Sequence, residues 1–167
     1  MKQVVILFLL IPCIAYSLTL SRVDELSIPG VSNTSFHWGD FDNDGLLDLL
    51  ITGYDGTANI TKLYKNNGGY SFTEIVEVSI PGLRDGSVAW GDYNNDGYLD
   101  LIICGATQST LPMTKLYKNN GNSTFTEVSG TTFVGVKSSV AKWVDYNNDG
   151  WLDLFLTGEL DSGIKTS

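Results

Sequence analysis

Four aspartates fall within nine residues of the segment WGDFDNDGLLDLLITG, at Asp40, Asp42, Asp44 and Asp48. Carboxylates this close repel one another, and the chain runs on directly into an apolar stretch, so the arrangement calls for a compensating cation. Counted from the first aspartate, the four stand at positions 1, 3, 5 and 9. Asp92, Asn94, Asp96 and Asp100 hold the same positions further on, as do Asp145, Asn147, Asp149 and Asp153. A glycine occupies position 6 each time: Gly45, Gly97 and Gly150. Alternate side chains converge on one point when such a loop curls, and the glycine permits the bend. The main-chain carbonyl of position 7 (Leu46, Tyr98 or Trp151) can then turn inward. An all-oxygen donor set without His or Cys suits a hard cation, calcium before magnesium. The expectation is about three Ca2+ sites, one per loop. Loop one has four acids against three in each of the others and is expected to bind tightest. An EF-hand would place a bidentate acid at position 12; here that position is Ile51, Ile103 or Leu156, inside an apolar run. The loops therefore close on the aspartate at position 9 and join strands.

The elements that must hold these loops repeat. Residues 27–53 match 79–105 and, more loosely, 131–158; residues 61–75 match 114–128. Asp40 and Asp92 lie 52 positions apart, Asp92 and Asp145 lie 53 apart. Within a unit, Phe36/Trp38, Val88/Trp90 and Ala141/Trp143 alternate with His37, Ala89 and Lys142, the period-2 pattern of a half-buried strand. LDLLITG, LDLIICG and LDLFLTG read as a second, more buried strand. TKLYKN and FTEI or FTEV read as a third and fourth, joined by Asn-Gly turns. Tandem units of four antiparallel strands without helical periodicity predict an all-β protein of β-propeller-type blades.

The expected division is a signal peptide at 1–17, a strand at 18–26 completing a preceding or last blade, repeats at 27–78 and 79–131, and a partial repeat at 132–167. That makes two complete blades and part of a third, an incomplete propeller, read as the N-terminal part of a longer protein or as a truncated gene product. Open blade edges of this kind favour self-association.

Lys2 precedes an apolar run of about twelve residues, too short for the ~20 of a transmembrane helix, and Ala15 and Ser17 have the spacing of a cleavage site. The chain is therefore expected to be secreted, with no membrane span. Cys13 would leave with the leader and Cys104 would remain alone, so rigidity would come from metal rather than a disulfide. The net charge is −9, and ten of the nineteen acids sit in the three loops. Acidity so concentrated points to a bound cation and away from nucleic acid.

These residues resemble the FG-GAP/VCBS repeats, the calcium-binding blades of integrin α-chain propellers and of many secreted proteins. The resemblance rests on the three loops, on the aromatic-Gly before them (Trp38-Gly39, Trp90-Gly91) and on Gly105-Ala106 after the second strand. Trp in place of Phe, Trp143-Val144 in unit three, the missing terminal Pro, and Asn94 and Asn147 in place of an acid depart from the pattern. The resemblance implies calcium loops between the first two strands of each blade on one face of the ring, with ligands docking elsewhere, usually on the opposite face or between blades.

Other candidates carry less. His37 aligns with Ala89 and Lys142 and is expected to face solvent. Cys104 aligns with Thr52 and Thr157, a small half-buried position. A single histidine leaves no Ser/His/Asp grouping, so no enzyme is expected. Lys62/Lys65 and Lys115/Lys118 read as solvated strand edges, and Tyr64 and Tyr117 as exposed aromatics that serve blade packing. Sequons at Asn33, Asn59 and Asn122 fall in turns where glycosylation can occur. The leading expectation is a secreted, calcium-stabilised module that binds an extracellular protein or glycan, as in adhesion. The alternatives are an architectural domain of a larger secreted enzyme or receptor, and a lectin binding sugars between blades.

Overall fold

The computed structural model describes residues 7–8, 21–22, 28–76, 79–161 and 165–166. The leader at 1–17 and the strand at 18–26 lie outside them, except for β1 (Leu7–Phe8) and β2 (Ser21–Arg22), which pair with each other. All regular elements among the described residues are strands. Blade one is a meander of β3 (Ser32–Gly39), β4 (Asp48–Tyr54), β5 (Asn59–Asn66) and β6 (Phe72–Glu74). Blade two repeats it with β7 (Arg84–Gly91), β8 (Asp100–Ala106), β9 (Pro112–Asn119) and β10 (Phe125–Glu127). The third sheet has β11 (Lys137–Val144), β12 (Asp153–Glu159) and the short β13 (Lys165–Thr166). The result is an all-β, incomplete propeller array, in which each acid-rich loop joins the first two strands of its blade.

Register is equivalent in all three sheets. Gly39 pairs with Asp48, Gly91 with Asp100 and Val144 with Asp153, so each loop hangs from the last pair of its ladder. Directly opposed residues share a face. In blade one Trp38, Leu49 and Tyr64 lie on one face, while Leu50 and Leu63 lie on the other. Blades stack face to face through their first strands, β3 on β7 and β7 on β11. Leu50 and Leu63 meet Val88, Trp90, Leu101 and Ile103 in the first joint; Ile102, Cys104 and Leu116 meet Ala141 in the second. Each fully buried Leu or Ile contributes about 1.5–3 kcal/mol relative to exposure.

The Trp-Gly pair works between blades. A Cβ on Gly39 would lie 2.6 Å from Trp90 Cδ1, and one on Gly91 would lie 2.4 Å from Trp143 Cδ1. Trp90 also stacks on Phe41 of loop one, with centroids 6.3 Å apart, and Trp143 stacks on Tyr93 of loop two at the same distance. The glycine thus leaves room for the next blade's indole, which in turn covers the aromatic at loop position 2.

Several sequence expectations change here, because chain from outside a strand's own ladder covers faces that an isolated sheet would leave in solvent. β7 is buried from Ser87 to Gly91 instead of alternating, and Phe36 of β3 is exposed rather than inward; β11 alternates, as does the start of β12, where Phe155 is exposed rather than buried. His37 is half-buried and accepts the main-chain N–H of Trp90 at Nδ1 (3.2 Å), so it faces the next blade rather than solvent. Burial, and then Lys142, hold its pKa below the usual value. Cys104 is completely buried, and the Ser139 hydroxyl donates to its sulfur at 3.1 Å. Tyr64 and Tyr117 are buried rather than exposed.

Candidate metal centre

The three loops curl alike. Asp40 accepts the N–H groups of Asp44 (3.0 Å) and Gly45 (2.9 Å), and Asp44 accepts that of Leu46 (2.9 Å). Asp92 and Asp145 repeat the first pair of bonds, to Asp96 and Gly97 and to Asp149 and Gly150. Asp96 and Asp149 repeat the last, accepting from Tyr98 and Trp151. The position-6 glycines have φ of 87°, 88° and 86°, the left-handed region that glycine tolerates best. An asparagine at position 4 is also left-handed each time, at Asn43, Asn95 and Asn148.

In loop one, carboxylate oxygens of Asp40, Asp42 and Asp48 all lie within 4.8 Å of one another. Asp42 Oδ1 is buried without a hydrogen-bond partner, an arrangement that costs free energy unless a cation or water completes it. Asp44, at position 5, stands outside that trio and meets Lys65. Lys65 Nζ bonds Asp42 Oδ2 and lies 2.7 Å from Asp44 Oδ2. That ion pair first, and the Leu46 N–H second, hold the Asp44 carboxyl below its usual range. Lys118 meets Asp96 at 3.0 Å in loop two. Lys65 and Lys118 are therefore turned into the acid loops, while Lys62 and Lys115 pair with Glu74 and Glu127. The expected solvated lysine edges are charge-paired, because β5 and β9 run beside both the loops and the fourth strands.

Position 9 is the buried member. Asp48 and Asp100 have no exposed surface. Asp48 accepts the N–H groups of Phe41 (3.1 Å) and Asn66 (2.8 Å); Asp100 accepts those of Tyr93 (3.2 Å) and Asn119 (2.8 Å). Desolvation outweighs these bonds and pushes both carboxyls up to about 6. A divalent ion would reverse that balance by favouring the ionised form. Asn94 donates to Asp100 (3.2 Å) and Asn147 to Asp149 (2.8 Å), so in loops two and three an amide softens the repulsion at position 3. Asp153 of loop three is exposed and accepts only the Tyr146 N–H (3.2 Å) among the described residues. Of the position-7 residues, Leu46 and Trp151 are exposed and Tyr98 packs on the Gly121 turn. The donors are oxygen throughout, and loop one brings three carboxylates to one point, so the residues present fit a calcium-type ion.

Sequence reasoning missed the asparagines that tie loops to their surroundings. Asn43 Nδ2 donates to the Gly97 carbonyl and Asn95 Nδ2 to that of Gly150, both at 3.0 Å. Asn119 Nδ2 reaches the Phe41 carbonyl at 2.7 Å. Their signal was present, since NDG, NNDG and KNN recur at fixed offsets. The sequons differ in surroundings. Asn122 is exposed, and its Oδ1 accepts the Thr124 hydroxyl at 2.6 Å. Asn33 is exposed and bonded to Asp85, whereas Asn59 Nδ2 is engaged with Ala106 O at 3.1 Å.

These features define an array of two four-stranded blades and a third sheet with three strands among the described residues, each carrying an acid-rich loop between its first two strands. The FG-GAP-like repeat matches residues 40–103 and 105–156, more than half of the chain, and the protein belongs to that family. No curated protein and no solved structure matches it. Among the described residues no helix is long and apolar enough to cross a membrane.

Proposed function

We propose that this chain is a secreted, non-catalytic β-propeller module in which calcium, one ion per loop, staples each blade and keeps a surface rigid for an extracellular protein or glycan. The observation that carries the reading is the loop-one trio Asp40, Asp42 and Asp48, with a buried, unpartnered oxygen on Asp42. In loop one Asp40, Asp42, Asp44, Asp48 and the Leu46 carbonyl would supply the ligands. Asp92, Asn94, Asp96, Tyr98 and Asp100, then Asp145, Asn147, Asp149, Trp151 and Asp153, would do so in the others. The ion's charge offsets carboxylate repulsion and so ties the first two strands of a blade together. Asn122 is the first choice for glycan attachment, then Asn33. Asn59 would first have to give up its bond to Ala106.

Thermal unfolding with calcium and with chelator tests the staple. At calcium a hundred times the dissociation constant, each filled site adds about 2.7 kcal/mol, so the midpoint rises by several degrees. Identical melting in both buffers would remove calcium from the account. Binding to glycan arrays and extracellular protein libraries in calcium then separates a recognition module from a purely architectural one.

A further inference from the structure

The geometry points to coupling between loops one and two: Asn119 and Asn43 are positioning residues that make the two loops take up their ions together. The inference rests on the calcium reading above and extends it from occupancy to cooperativity.

A hydrogen-bonded path runs unbroken between the buried position-9 aspartates. The Phe41 N–H donates to Asp48 Oδ2 (3.1 Å), and the Phe41 carbonyl accepts from Asn119 Nδ2 (2.7 Å). The N–H of Asn119 then donates to Asp100 Oδ1 at 2.8 Å. Asn119 is 1 % exposed, and its remaining bonds, to Leu99 O (3.1 Å) and from Gly121 N–H (2.9 Å), leave it no other orientation. Asn66, its counterpart in blade one, makes the equivalent bonds within its own blade, to Asp48 and Leu47 O. The reach into a neighbouring loop is what Asn119 adds.

A second link lies on the surface. Asn43 sits between Asp42 and Asp44, and Gly97 between Asp96 and Tyr98, so the curl that gathers one loop's carboxylates also aims the bond to the other. Loops two and three share only the surface link, Asn95 to Gly150, among the described residues. Ordering one loop around an ion lowers the cost of ordering the loop bonded to it, and the coupling is reciprocal. Through space, two divalent cations repel. Positive coupling would therefore report the bonded path rather than the field.

The test is a calorimetric calcium titration of the full chain with loop three disabled by Asp145→Ala and Asp149→Ala. The second ion is expected to bind at least about fivefold more tightly than the statistical value, the lower end of ordinary coupling. Asn119→Ala should bring the ratio to one or below. Asn43→Gly, which removes the amide at an exposed position while keeping the left-handed backbone, should lower it at least about twofold. General destabilisation would shift both affinities without changing their ratio. Two ions bound independently, or a ratio untouched by Asn43→Gly, overturn the coupling while leaving calcium binding intact. A parent that takes up no calcium overturns both.

Discussion

Loops one and three are close to identical as local structures and opposite as environments. Both set aspartates at positions 1, 5 and 9, both bend at a left-handed glycine, and both tie the first carboxylate to the same two N–H groups. Yet Phe41 is 0 % exposed beneath Trp90, while Tyr146 at the same position is 82 % exposed. Asp48 is buried and bonded from β5; Asp153 is exposed. The curl of a loop is therefore local chemistry. Desolvation of its last carboxylate and the fixing of its aromatic come from the third strand of its own blade and the first strand of the next.

The largest expected effect that could break this contrast is packing. Phe41→Ala should cost about 3–5 kcal/mol in chemical denaturation, against less than about 0.5 kcal/mol for Tyr146→Ala; equal losses would mean that Trp90 does not cover loop one. Next comes Gly91→Ala, whose methyl would meet Trp143 at 2.4 Å and should cost about 1–3 kcal/mol by overpacking. Val144→Ala, at the equivalent exposed position, should stay within about 0.5 kcal/mol.

A smaller effect separates loops one and two. Lys65→Met frees two carboxylates and should raise the calcium affinity of loop one by up to roughly fivefold, with less gain in loop two from Lys118→Met, since Lys118 meets one carboxylate. Unchanged affinity would show that the lysines do not compete with the ion.

The smallest effect is on pH. Asp48 and Asp100 have folded-state pKa values raised from 3.8 to about 6. Without calcium their contribution to stability is therefore full below about pH 4 and lost as pH rises through 6. Calcium requires them ionised, so the gap between melting points with calcium and with chelator should narrow as pH falls below 6. A constant gap from pH 7 to 5 would place the ion elsewhere.

The strand order, the loop positions and the acid spacing could all be read from the repeat, because period-2 patterning and left-handed glycines act over a few residues. His37, Tyr64 and Tyr117 could not be placed that way. The burial of His37 and Tyr117 depends on the neighbouring blade, and that of Tyr64 on Ile28, Trp38 and Phe72; alternation along one strand carries no record of either. Lys65 read as solvated because its partners, Asp42 and Asp44, lie more than twenty residues away in the loop of its own blade.

The sequence alone determined that carboxylates would gather in three matching bends between strands, since spacing and glycine placement fix a short loop's path. Only the tertiary structure decided which of those bends would have its last aspartate and its aromatic buried. That outcome requires Trp90 and Asn119 to arrive across the joint between blades and Lys65 from the third strand of the loop's own blade, so the distances they close belong to no one stretch of chain.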